Sequence, residues 1–148
     1  MNQFDLKNRT ALITGGAQGF GFDIAKKFLN SGANVIIWDI DEKELQNAIK
    51  KINNSKLSYN VVDVSNFEKI NQTVLEINKK TNIDILINNA GITGPTAELW
   101  NYSINDWSKV VEINLNGTFT WCKAIVPYMI KNNYGRIVNL ASVAGKGG

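Results

Sequence analysis

The 148-residue sequence contains no histidine and one cysteine, Cys122. The missing histidine rules out a serine–histidine–aspartate triad, so any proton transfer must use another side chain. One thiol without an imidazole offers too few ligands for zinc, and no metal site is expected. A lone cysteine also excludes an intramolecular disulfide. No apolar run is long enough to span a bilayer, and the opening MNQFDLKNRT has no apolar signal core. The expectation is a cytoplasmic protein with no membrane partner, in which Asn8-Arg9-Thr10 and Asn116-Gly117-Thr118 carry no weight as glycosylation sites. The 16 basic and 13 acidic residues leave a net charge of +3 without any lysine or arginine run, which disfavours nucleic acid.

What is present is an alternation of short apolar runs with segments of helical period. TALIT (10–14), NVIIW (34–38), LSYNVV (57–62), DILIN (84–88) and RIVNLA (136–141) read as strands. Their near-continuous apolar character suits a sheet covered on both faces. Between them, Phe22, Ala25 and Leu29, then Leu45, Ala48, Ile49 and Ile52, then Phe67, Ile70, Val74 and Ile77 recur at the spacing of one buried helix face. A longer stripe, Ile104, Trp107, Val111, Leu115, Thr118, Cys122 and Ile125, predicts one continuous helix, with Trp107 and Cys122 in the core. Ser65 with Glu68 and Ser103 with Asp106 have capping-box spacing, and Gly32 stands where a helix ends. The sum is α/β: a Rossmann-like, doubly wound parallel sheet of order 3-2-1-4-5, as one domain over 1–148.

The first βα turn reads Gly15-Gly16-Ala17-Gln18-Gly19-Phe20-Gly21. A helix N-terminus offers unpaired N–H groups and partial positive charge, which suits a pyrophosphate. Glycines clear its path and permit the tight turn, and Gly21 lets helix and strand pack closely. The spacing is G-x-x-x-G-x-G rather than G-x-G-x-x-G, and the Gly-Lys-Ser/Thr of an NTPase loop is absent. Asp39 ends the second strand about 20 residues beyond the loop, where a carboxylate accepts from both ribose hydroxyls of an adenosine. The alternative is that Asp39 caps the next helix, a task Asp41 could equally perform. Asp39 repels a 2′-phosphate and the loop has no cation to attract one, so NAD is favoured over NADP.

Four motifs, TGGAQGFG (14–21), DV (63–64), NNAG (88–91) and NLAS (139–142), with INLNG (113–117) between the last two, make the chain resemble the short-chain dehydrogenase/reductase family over essentially its whole length. The likeness is greatest to bacterial members labelled 3-oxoacyl-carrier-protein reductases, a label that also covers sugar and sugar-acid dehydrogenases. The resemblance implies a cofactor set of Gly15, Gln18, Gly19, Phe20 and Gly21 at the pyrophosphate and Asp39 with Ile40 at the ribose. It adds Asp63 and Val64 at the adenine, and Asn89, Ala90 and Gly91 on the far side. Phe20 departs from the family's usual Ile or Leu. Spacing alone leaves Asn114 either tying neighbouring elements together or acting in catalysis; the resemblance implies the second, organising a proton-relay water. A serine closing a strand is ordinarily a cap or turn residue, whereas the resemblance makes Ser142 the group that polarises a substrate carbonyl.

The family's Tyr-x-x-x-Lys pair does not occur in these 148 residues, and Tyr134 and Lys146 do not stand in that pattern. The chain therefore corresponds to the family fold truncated after its fifth strand, with two of four catalytic positions. The expectation is an NAD-dependent oxidoreductase acting on a small carbonyl or hydroxy substrate, homotetrameric in full-length form, whose first 148 residues alone are inactive. An unprotected sheet edge and exposed apolar helix faces should follow. Two other readings are a non-catalytic dinucleotide-binding or interaction module and, less well supported by NNAG and NLAS, a methyltransferase.

Overall fold

The computed structural model describes residues 4–142. Five strands alternate with helices: β1 Thr10–Thr14, α1 Gly19–Asn30, β2 Asn34–Asp39, α2 Glu42–Ile52, β3 Leu57–Val61, α3 Phe67–Asn78 and β4 Ile85–Asn88. A short 3-10 turn, Leu99–Asn101, precedes α4 Ile104–Val111, a π turn Glu112–Asn116, α5 Gly117–Lys131 and β5 Arg136–Asn139. All strand pairs are parallel and the order is β3-β2-β1-β4-β5, the order expected.

Alternation along each strand divides the core between two faces. Ala11, Ile13, Val35, Ile37, Ile85 and Ile87 point to one side, where Ala25, Leu29, Leu45 and Ala48 of α1 and α2 cover them. Leu12, Ile36, Trp38 and Leu86 point to the other, against Ile70, Val74, Trp121 and Ile125 of α3 and α5. The second face includes a tilted ring contact between Trp38 and Trp121, with centroids 4.3 Å apart.

Local signals explain most boundaries. The Asp41 carboxylate accepts from Glu44 N–H and caps α2, and Ser103 caps α4 through Asp106 N–H. Gly32, with φ +93°, ends α1: its N–H and that of Ala33 return to Leu29 and Phe28.

Three expectations fail. Ser65 is not the cap of α3; the adjacent Asn66 takes that place, while the Ser65 backbone N–H and hydroxyl both donate to Asp63. The strands at 57–62 and 136–141 stop one and two residues earlier, at Val61 and Asn139, where the Val62 and Leu140 N–H groups donate the last ladder bonds to the Asp39 and Asn88 carbonyls. The stripe from Ile104 to Ile125 is not one buried face. The π turn shifts its phase, so Trp107 is 61% exposed and not in the core, and Ile104 and Leu115 are exposed, whereas Trp121 and Ile125 are buried. Cys122 is half-buried against the second face. β5 is exposed throughout rather than covered, the open edge anticipated.

Candidate functional site

Parallel strands bring their carboxyl ends to one edge, so the turns after β1, β2, β3 and β4 converge there. They enclose a cleft of about 360 Å³ whose lining includes Gly15, Gln18, Asp39, Ile40, Asp63, Val64, Asn89, Ala90 and Gly91. Sequence reasoning placed all nine in the cofactor set. The other three, Gly19, Phe20 and Gly21, form the first turn of α1 and are not among the described lining residues.

Gly21 is a packing position. A Cβ there would strike the Gly15 carbonyl and stand 2.6 Å from Asn89 Nδ2. Gly15, with φ +61°, has Ala90 Cα only 2.9 Å from where its own Cβ would lie. Gly19, with φ +55°, faces open space, and its left-handed backbone favours glycine. Phe20 is 79% exposed in the first turn of α1, so the departure from an aliphatic side chain meets no steric obstacle.

The start of α1 differs from those of α2, α3 and α4. Each of those has a side-chain cap and an acidic residue in its first turn; α1 has neither. Its first-turn N–H groups are therefore an uncompensated positive pole beside the cleft, which is the donor set an anion requires. Asp39 stands at the other side of the loop. Its carboxylate accepts from Ala17 N–H at 3.4 Å and from Ile40 and Asp41 N–H at 2.9 and 3.3 Å. Because Asp41 caps α2, Asp39 is released from that task. No lysine or arginine is among the described lining residues, while Asp39 and Asp63 both are. The lining also carries the apolar side chains of Ile40, Val62 and Val64.

Asn114 and Ser142 occupy different positions from the cofactor set. Asn114 lies in the π turn, and although it is exposed both its amide nitrogen and its amide oxygen are engaged. Nδ2 donates to the Ile92 carbonyl at 2.8 Å and Oδ1 accepts from Ile92 N–H at 2.9 Å. A role in tying elements together is thus part of its function. Ser142 is exposed at the carboxyl end of β5, three residues beyond Asn139. Lys146 lies outside the described residues.

A model of the short chain dehydrogenase family matches residues 9–148. The chain belongs to that family. It is 38% identical over 144 residues to a 2-dehydro-3-deoxy-L-rhamnonate dehydrogenase (NAD(+)) from Sphingomonas sp., covering 95% of this chain and 56% of that protein. It is 39% identical to the 3-oxoacyl-[acyl-carrier-protein] reductase FabG of Chlamydia muridarum, covering 95% of this chain and 58% of the reductase. Among solved structures it resembles an NAD+-bound xylitol dehydrogenase, with a TM-score of 0.91 and 33% identity over 97% of this chain and 56% of that one. The chain thus spans little more than half the length of these relatives.

Several residues of this short-chain dehydrogenase site escaped sequence reasoning. Thr14, buried at the end of β1, accepts from Asn89 and Ala90 N–H through Oγ1, at 3.0 Å each. Asn89 returns both amide hydrogens to the Thr14 and Gly15 carbonyls. The two side chains stitch the glycine loop to the end of β4. A hydroxyl at a buried strand position needs a partner, and that signal was available in TALIT. Val62, Ile92 and Ile113 also line the cleft; as isolated apolar residues beside motif positions they carried no signal of their own.

Proposed function

We propose that this chain is the cofactor-binding part of an NAD-dependent oxidoreductase that moves hydride between the nicotinamide and a small carbonyl or hydroxy compound. The observation that carries the reading is the pairing, across one glycine loop, of an uncapped α1 N-terminus with the Asp39 carboxylate. The cleft fits the cofactor on chemistry: donors for a diphosphate, an anionic acceptor for a ribose diol and an apolar slot for a base. When bound, the dinucleotide would donate the hydride to a carbonyl or accept it from a hydroxy compound. Gln18 and the start of α1 hold the diphosphate, and Asp39 takes the ribose while disfavouring a 2′-phosphate. Ser142 donates from its hydroxyl to a substrate carbonyl, and Asn114 organises a proton-relay water from a position fixed by Ile92. The relatives' names support a 3-oxoacyl thioester or a sugar or sugar-acid substrate.

Because Tyr-x-x-x-Lys is absent from these 148 residues, the chain by itself binds the dinucleotide without turnover. No helix of the described residues is long and apolar enough to cross a membrane, and we place the protein in the cytoplasm. Trp107, Leu115 and Phe119, all exposed at helical spacing, support self-association, to a tetramer in full-length form. Fluorescence titration of the purified chain with NADH and NADPH tests the proposal. Saturable binding with NADH the tighter supports it, and failure of both to bind overturns it.

A further inference from the structure

Residues 89–98 contain no helix or strand, and the first four of them, Asn89 to Ile92, form one wall of the cleft. Thr14 secures the start of this wall, and Gly94 packs against the Tyr102 hydroxyl and Val110 farther along. Between those anchors the wall rests on Asn114, which pairs with both backbone groups of Ile92 as a neighbouring strand would. Asn114 can do this only while its own backbone is fixed, and that backbone lies in a five-residue π turn, a rare departure from the α-helical ladder.

A support is present one turn on. Thr118 is half-buried, and its Oγ1 donates to the Asn114 carbonyl at 2.9 Å. Such a bond fixes the rotamer of a β-branched residue and adds a side-chain tether to the peptide four residues before it. Thr120 makes the same kind of bond to the Asn116 carbonyl at 2.7 Å, but the Asn116 side chain donates to Glu112, not to the wall. The two threonines are therefore alike in chemistry and different in what they hold.

We infer that Thr118 is a positioning residue for the cleft: its hydroxyl fixes the Asn114 backbone, and Asn114 in turn fixes the wall at Ile92. The consequence for ligand binding rests on the dinucleotide reading above; the consequence for Ile92 does not.

Amide hydrogen exchange on the ligand-free chain separates the two. Thr118→Val should speed exchange at the Ile92 amide about tenfold relative to amides of β1, the effect of losing one hydrogen bond's worth of local protection. Thr118→Ser, which keeps the hydroxyl, should restore protection at Ile92, and Thr120→Val should leave it unchanged. If Thr118→Val does not fold, Thr118→Ala gives the same comparison. The inference is overturned if Ile92 and β1 amides accelerate together, or if Thr120→Val acts on Ile92 as Thr118→Val does. NADH titration of the same variants should show Thr118→Val weakened and Thr118→Ser restored. If NADH fails to bind the unmutated chain, the dinucleotide reading falls while the exchange result still decides the role of Thr118.

Discussion

Trp38 and Trp121 face one another beneath the cleft, their ring planes inclined at 56°. Trp38 directly precedes Asp39, and Val62, packed in the same cluster, lines the cleft above. A reduced nicotinamide absorbs where tryptophan emits. NADH binding should therefore quench the buried tryptophans and sensitise nicotinamide emission. Trp38→Phe and Trp121→Phe should each diminish that transfer, whereas substitution of the exposed Trp107 should alter it little. Emission spectra with excitation at the indole band check this.

The two glycines flanking Phe20 should respond differently to alanine. At Gly21 the added methyl meets the Gly15 carbonyl and Asn89 Nδ2, an overpacking that costs about 1–3 kcal/mol. At Gly19 the methyl enters open space, and the left-handed φ alone costs about 1–2 kcal/mol. Urea unfolding measures both. Gly21→Ala should also weaken NADH binding, because the glycine loop must move to relieve the collision.

Asp39 governs cofactor choice in our proposal. Asp39→Ser removes the charge that repels a 2′-phosphate and the acceptor that meets the ribose. NADH affinity should fall about ten- to hundredfold, as expected for lost hydrogen bonds to a charged group, while NADPH affinity rises. Paired titrations decide it, and an unchanged preference would remove Asp39 from the ribose site.

At the opposite end of the sheet, Asp84 accepts from Thr10 N–H at 2.9 Å and pairs with Arg9, whose guanidinium lies 3.6 Å from the Tyr134 ring centroid. Asp84→Ala leaves a buried N–H unsatisfied and should cost about 1–3 kcal/mol. Arg9→Ala removes a partly exposed cation while Asp84 keeps its bond from Thr10 N–H, and should cost less, about 1 kcal/mol. Thermal unfolding measures the difference. Neither change should alter NADH affinity, since the cleft lies at the other edge.

The parts of this molecule legible in its sequence are those where one physical requirement acts alone. β1 and β2 are continuous apolar runs because both sheet faces are covered. Gly15 and Gly21 mark places where backbone meets backbone. The reading failed where two solutions compete. Ser65 and Asn66 can both cap α3, and Asp63, by engaging Ser65, leaves the task to Asn66. The helical stripe from Ile104 was misassigned because apolar residues populate both phases, and a π turn has no composition of its own to announce the shift. The clamp between Asn114 and Ile92 joins residues 22 positions apart, a separation at which periodicity carries no information.

The sheet has a further consequence for how this chain can change. Ile13 and Ile37 on one face share no cluster with Leu12 and Ile36 on the other. The backbone between them acts as a partition, so a cavity opened beside Leu45 is not relieved by a larger residue beside Ile70. Repacking on either side proceeds with its own compensations, and paired substitutions across the partition should combine additively. The cleft, where turns from the strands between these faces meet, inherits constraints from both sides.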